Sequence, residues 1–554
     1  MYFFARRVLL VILLVLVSWL GLTALHKHLD PNIPNGIESS EDAKWIATSK
    51  HALDRWACKW MGLCGLAHWH PDPATRSWKK SQYARANTQD MGGEQAPFFD
   101  WEELKSNGRK MRPQDWKGDA RVLKEVPQFV LDGAPLVHLY SEEQFWPSDI
   151  AEHIHNMRPA LNYTNLRSGD GRHGVGDLNR LNDGRWAEEL YLMSKEDVED
   201  RPLWLGSSYN RPVPYEDEDD VADEVRTYNN TDLSDILMSE DEMKDWSDPA
   251  RLYQNKLSTP FAHTPQAQKP FFKRAETRRG NPRNWKRAPV VPRPGGYSPA
   301  PAFLVMVDKG NGILDAFWFY FYSYNLGTTV MKIRFGNHVG DWEHSLIRFH
   351  NGKPKAVFFS AHSGGLAYSY DAVEKGKGPG REGRPVLYSA KGSHAMYATA
   401  GTHPYILPFG LLADVTDKGP LWDPAQNYIA YHYNSSITHG ADSYVHVTGE
   451  VPDTPSFHEM AFTIQPALDN PDAPLGWWWY SGHWGDKFYT LGDWRQWRFV
   501  GQYHYVNGPY GPRWKNLGRN KVCQSHGTCT ILKSLDGDAK RDWLGKRSID
   551  KLGL

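Results

Sequence analysis

Between residues 325 and 362 the chain reads N-L-G-T-T-V-M-K-I-R-F-G-N-H-V-G-D-W-E-H-S-L-I-R-F-H-N-G-K-P-K-A-V-F-F-S-A-H, and few folds accommodate that pattern. Met331, Ile333 and Phe335 alternate with Lys332 and Arg334, the period of two that marks a half-buried strand. A loop over 336–340 leads to a second strand, Asp341 to Phe349, and Asn351-Gly352 supplies the two left-handed residues of a tight hairpin turn. A third strand returns over 356–362. The expectation is an antiparallel meander.

Side chains two apart on a strand share a face, so Asp341 and Glu343 project together and Trp342 projects the other way. His338 precedes them in the loop. Two carboxylates and an imidazole at one strand start suit a divalent cation, and oxygen-rich ligation favours Mg, Ca or Mn. His394 is a candidate fourth ligand, or a hydrogen-bonding partner of the first three. An exposed polar strand edge is the bland alternative.

Elsewhere, short apolar and aromatic runs at 126–131, 135–140, 302–307, 313–324, 385–390, 428–433 and 444–447 are separated by turn signals. Many short strands with turns between them predict a mainly β fold, an antiparallel β-sandwich, and not parallel α/β units. A β core also absorbs most of the 24 Trp and 27 Tyr. Ser148-Asp149 predicts a helix start before Ile150, and 41–64 reads as helical. Residues 414–423 read as loop. From 165 to 298 the order breaks down: an acidic run (216–220) and a basic, Pro-rich run (273–294) predict a long, largely disordered insertion.

Arg6-Arg7 precedes an apolar run over 8–25, just long enough to cross a bilayer at about 1.5 Å per residue. Positive charge on the short side keeps that side cytosolic, so the chain reads as a single-pass type II membrane protein of the secretory pathway. A signal peptide cleaved after Leu22-Thr23-Ala24 is the alternative. Cys58 with Cys64, and Cys523 with Cys529, suit two local disulfides in a lumenal compartment. Sequons at Asn162, Asn229 and Asn434 agree with that side. The division is then a cytosolic end at 1–7, the anchor at 8–25, a stalk at 26–125, the sandwich at 126–164 and 299–515 around the insertion at 165–298, and a tail at 516–554. With 64 basic against 65 acidic residues, nothing points to nucleic acid.

Several stretches resemble the fungal vacuolar protein sorting-associated protein 62 family. They are A-P-L-V-H-L-Y-S-E-E (134–143), F-W-P-S-D (145–149), R-F-G-N-H-V-G-D-W-E-H (334–344), H-S-G-G (362–365), S-A-K-G-S-H (389–394), G-T-H (401–403), L-L-A-D-V-T-D-K-G (411–419) and L-W-D-P (421–424). The resemblance implies a part in vacuolar protein sorting and no established reaction, so the reading leans away from an enzyme. Asn337 to Glu343 is also similar to the G-H-R-H-D-W-E heptapeptide of necrosis- and ethylene-inducing-like toxins, secreted β-sandwich proteins that hold a divalent cation and act on membrane sphingolipids. That resemblance assigns the cation to His338, Asp341 and Glu343, with Asp315 as a candidate upstream acidic ligand. Asn337, Val339 and Gly340 depart from the heptapeptide.

The expected partners are the membrane, through the N-terminal helix, and a glycan, lipid headgroup or protein cargo. Two alternatives stay open. One is a metal-dependent hydrolase drawing on His362, His394 and His403, with Ser363 or Ser393 as a conceivable nucleophile, although no G-x-S-x-G surrounds either serine. The other is a secreted toxin-like or sugar-binding protein.

Overall fold

A computed structural model describes residues 10, 12–19, 21, 37–70, 99–108, 124–166, 173–182, 187–216, 237–248, 293–330, 333–362, 364–406, 412–435, 463–524 and 528–535. The strands that build the site are β1 (Leu136–His138), β2 (Ala302–Gly310), β3 (Ile313–Asn325), β4 (His338–His350), β5 (Lys353–Ala361), β6 (Gly364–Ser369), β7 (Val386–Ser389), β8 (Met396–Tyr397), β9 (Gly401–Ile406), β10 (Leu412–Thr416), β11 (Leu421–Trp422), β12 (Tyr428–Tyr433), β13 (Ile464–Pro466) and β14 (Ile531–Leu532). Eight of them form one sheet in the order β13-β12-β2-β3-β4-β5-β6-β14, and four form a smaller sheet, β8-β7-β1-β11.

The centre of the large sheet is buried on both faces, which is why β3 reads as a nearly unbroken apolar run. Phe317, Phe319 and Phe321 enter one core, with Trp342, Trp477, Trp478 and Trp484. Ala316, Trp318, Tyr320 and Tyr322 enter the other, with Val137, Leu387, Met396 and Trp422 of the small sheet. The first core is closed by short helices and coil around residues 150–205 and 473–522. The mainly β expectation holds. The sheets, however, are mixed and not purely antiparallel: β12 runs parallel to β2, β7 to β1 and β14 to β6. With helices and coil across one face of the large sheet, the described topology does not establish a two-sheet sandwich.

The hairpin at Asn351-Gly352 forms as expected, both residues left-handed at φ 50° and 73°. Asp149 caps the helix Ile150–His155, its carboxylate accepting from Ala151 N at 2.8 Å. Other local expectations are corrected. β4 pairs antiparallel with β5 as the meander requires, but on its other edge the partner is β3; Ile333–Phe335 instead folds back on Thr328–Val330 as a separate small ribbon. Residues 126–131 carry no strand but lead into a helix, Gln128–Asp132. Residues 414–416 belong to β10 and are not loop. The helical stretch at 41–64 is two helices, Ile37–Thr48 and Ala52–Met61.

The supposed stalk, insertion and tail all send residues into the core: Trp101, Leu190, Leu192, Trp204, Leu205, Leu517, Val522 and Ile531 are buried there. Within the insertion, Leu190–Ser194 pairs with Met157–Leu161. Residues 217–236 and 249–292 lie outside the described residues. Cys58 is bonded to Cys64 and Cys523 to Cys529. Asn162 and Asn434 are exposed, and Asn229 lies outside the described residues. Among the described residues no helix is long and apolar enough to cross a membrane; the run at 8–25 is only partly within them.

Candidate functional site

The site starts from a kink in β4. Val339 and Trp342 share one core, although strict alternation would put them on opposite faces. Gly340 resolves this: at φ 71° it is left-handed, and the extra twist resets the alternation in front of Asp341. A Cβ on Gly340 would also lie 2.2 Å from the Trp484 carbonyl oxygen. His338 is thereby turned toward the face that carries Asp341 and Glu343. Their cross-strand neighbours, Tyr322 and Tyr320, mark that face as the one covered by the small sheet.

Asp341 and Glu343 are both buried. Asp341 accepts from His394 Nδ1 at 2.9 Å. The His394 ring lies flat on Tyr322, 3.7 Å between centroids, and its Nε2 points at the Phe145 carbonyl oxygen at 3.1 Å. Both nitrogens of His394 are thus engaged, and it orients Asp341 without offering a lone pair of its own to a metal. Glu343 accepts from Ser360 Oγ. Burial pushes its carboxyl well above the ordinary range, and the charges of Asp341 and Asp414 push the same way against Lys515 and the Ser360 hydrogen bond. His338 is held below its ordinary value, by burial first and by the nearby His394 and His362, with Asp341 opposing. Its Nδ1 lies 2.7 Å from the Gly340 carbonyl oxygen, which leaves Nε2 as the nitrogen available for coordination.

Asp414, given no role from sequence, is the second hub. It accepts from His362 Nε2, Ser393 Oγ and Tyr397 Oη, each at 2.7 Å. Burial works against its charge, but these three donors hold its carboxyl below the ordinary value. The signal in sequence was its place in L-L-A-D-V-T, an alternating strand whose acidic residue sits on the inward face. The loops are braced as well: Glu143 accepts from Gly392 N at 2.8 Å and from the Gln144 and Phe145 amides. His362 and His394 are both left-handed at φ 54°, a conformation non-glycine residues hold only where the surroundings enforce it.

His338, Asp341, Glu343, His362, His394 and Asp414 therefore gather at one place, where the start of β4 meets the β5–β6 turn, the 390–394 loop and β10. Among the described residues, no three His, Cys, Asp or Glu side chains stand ready to hold a metal ion. Asp315 is not part of the site. It belongs to the opposite face of the large sheet, where Arg348 grips it through Nε at 2.6 Å and Nη2 at 2.7 Å. Nor does Ser393 act as a nucleophile would, since its hydroxyl donates to Asp414 and not to a histidine. Ser363 lies outside the described residues. His403 stacks on Tyr397 at 3.9 Å and bonds Thr416 Oγ1 at 2.9 Å, so it supports the β9–β10 hairpin.

A family profile for vacuolar protein sorting-associated protein 62 matches residues 311–430, the stretch that holds most of these side chains. The chain is 33% identical to Putative vacuolar protein sorting-associated protein TDA6 of Saccharomyces cerevisiae over 77% of its own length and 76% of that protein's. It is 32% identical to vacuolar protein sorting-associated protein 62 of the same yeast, over 81% and 78%. The chain belongs to the vacuolar protein sorting-associated protein 62 family. Solved structures overlap only in part. Necrosis and Ethylene inducing Protein 2, from the causal agent of cocoa's Witches Broom disease, is 17% identical over 20% of this chain and 53% of its own, TM-score 0.14. The non-toxic HaNLP3 protein is 13% identical over 24% and 51%, TM-score 0.15.

Proposed function

We propose that this protein acts in vacuolar protein sorting from the lumenal side of the membrane, anchored through residues 8–25. The observation that carries the role is the relation to the yeast family members over about four fifths of the chain. The exposed apolar side chains along residues 10–19 and the two disulfides support the placement. Removing the protein from its cell should send a soluble vacuolar hydrolase into the medium; unchanged retention of that hydrolase would overturn the role.

Within that role the site binds a divalent cation, Mg, Ca or Mn, through Asp341, Glu343 and His338 Nε2, with His394 fixing Asp341. What supports this is the pair of buried carboxylates two residues apart, one of them so disfavoured as an anion that a bound cation would relieve it. The donor set fits a hard cation, although the side chains must close on it. Bound, the cation supplies a coordination point for the oxygen atoms of a glycan, a lipid headgroup or a cargo protein. Elemental analysis of the purified full chain after exposure to each metal should find about one ion per chain, lost in Asp341→Asn. Equal metal content in the two proteins would sink the cation site without touching the sorting role.

A further inference from the structure

The helix Ala52–Met61 is amphipathic the wrong way round. Its inward positions are Asp54, Ala57 and Cys58, all buried. Its large apolar residues face out: Leu53 is 82% exposed, Trp56 58% and Trp60 39%. Positions i, i+3 and i+7 lie on one face of a helix, so these three make a single stripe. In a soluble helix that stripe belongs in the core.

The helix cannot rotate to hide it. Cys58 is bonded to Cys64, and Gly62 ends the helix in a left-handed conformation at φ 67°. The Asp54 carboxylate accepts from the amides of Gly65, Leu66 and Ala67 at 3.0, 3.3 and 3.2 Å. The chain then pairs Leu63 and Cys64 with Phe499 and Arg498. Four separate ties thus fix the orientation that exposes the tryptophans. Around this helix Leu66, Trp69, Trp494 and Val500 are exposed too, and Trp494 stacks on His70 at 5.4 Å.

We propose that this face rests in the headgroup zone of the bilayer, with Leu53, Trp56 and Trp60 as interfacial anchors. The inference rests on the reading of residues 8–25 as the membrane anchor. The upstream helix exposes Ile12, Leu13, Leu14, Val15 and Val17, all more than half exposed, an apolar surface of the kind that lipid covers. One helix, Ile37–Thr48, separates this face from that segment, which keeps it within reach of the interface, and tryptophan is the side chain that settles there, its ring apolar and its N–H wet. Lys59, whose ammonium lies 5.1 Å over the Trp60 ring, sits beside the stripe as a basic partner for lipid phosphate. The stapled helix sets the height and tilt of the large sheet over the membrane.

The test uses the full chain reconstituted in phosphatidylcholine vesicles that contain a phospholipid with a diazirine near the headgroup. After irradiation, the peptide holding residues 52–61 should carry lipid label, as should the peptide holding 8–25. Leu53→Ser with Trp56→Ser and Trp60→Ser should remove the first label and leave the second, with the Cys58–Cys64 bond intact on peptide mapping. Label on 8–25 with none on 52–61 overturns the proposal and leaves the anchor standing. Label on 52–61 with none on 8–25 overturns the anchor and, with it, the proposal that the stapled helix works as its interfacial companion. Label on neither overturns both.

Discussion

At the residue scale the site depends on two backbone features of β4, its period of two and the left-handed turn at Gly340. Asp341 and Glu343 were readable because a strand has a period of two, and that rule needs no knowledge of neighbours. His338 reaches the same face only because Gly340 is left-handed, a backbone fact that a glycine in the sequence allows but does not require. Asp414 arrives from a distant hairpin, and Asp315 was misplaced because its face depends on the register of β3 against β4. Two outcomes follow from these side chains. Gly340→Ala should cost more than about 2 kcal/mol, since the left-handed φ and the Trp484 carbonyl both oppose a methyl group; chemical denaturation would show it, and wild-type stability would refute the kink. Glu343→Gln should raise the melting temperature in chelator at pH 7.5. The wild-type carboxyl sits above its unfolded value, so the native state holds a proton that the unfolded chain releases as pH rises, and a neutral amide removes that penalty. The same variant should lose any stabilisation by added Mg, Ca or Mn. A variant less stable in chelator yet still stabilised by metal contradicts both halves of this account.

Elements were legible where composition alone decides them. The run at 313–324 reads as a buried strand and Asn351-Gly352 as a tight hairpin turn, and both form. Residues 331–335 alternate just as well, yet among the described residues Ile333–Phe335 pairs only with the three-residue strand Thr328–Val330, because alternation reports a strand and says nothing of whom it pairs with. The tie between β3 and β4 shows what pairing adds. Asp315 and Arg348 are direct cross-strand partners, neither side chain exposed, and the guanidinium also donates to the Ser247 and Asn520 carbonyls at 2.6 Å. Arg348→Met should therefore cost about 3–5 kcal/mol by leaving a buried carboxylate uncompensated. Adding Asp315→Leu should recover much of that loss, because two apolar side chains fill the space with no charge to desolvate. A double variant as unstable as the single one would mean that the Ser247 and Asn520 carbonyls around Arg348, and not Asp315, dominate the cost.

For the whole molecule, the sequence showed where strands were dense and hid how far the flanks join them. Residues 173–216 carry too little periodicity to announce themselves, yet Trp204 and Leu205 close the core over the large sheet. That closure sets the acid response of the fold. His153 projects from the helix Ile150–His155 into the core, with Nε2 at 2.9 Å from the Trp484 carbonyl oxygen. His483 stacks on Tyr191 at 4.2 Å and reaches the Gly508 carbonyl. Burial pushes both rings down from 6.5 to about 4. As pH falls from about 6.5 toward 4, the unfolded chain takes up protons that the native rings refuse, so stability is lost over that window. Two carboxyls act the other way: burial raises Asp149 to about 6 and Glu152 to about 7, and each favours the native state as pH falls through those values. The net curve mixes both signs, and a variant separates them. His483→Phe keeps a ring against Tyr191 and gives up the Gly508 contact, so it should be less stable than wild type at pH 7. On acidification to pH 4.5 it should lose less, closing a gap of up to about 3 kcal/mol for a shift of this size. Melting curves for the two proteins that stay parallel from pH 7 to pH 4.5 would show that His483 titrates freely, and that the segment around it opens to water in the native state.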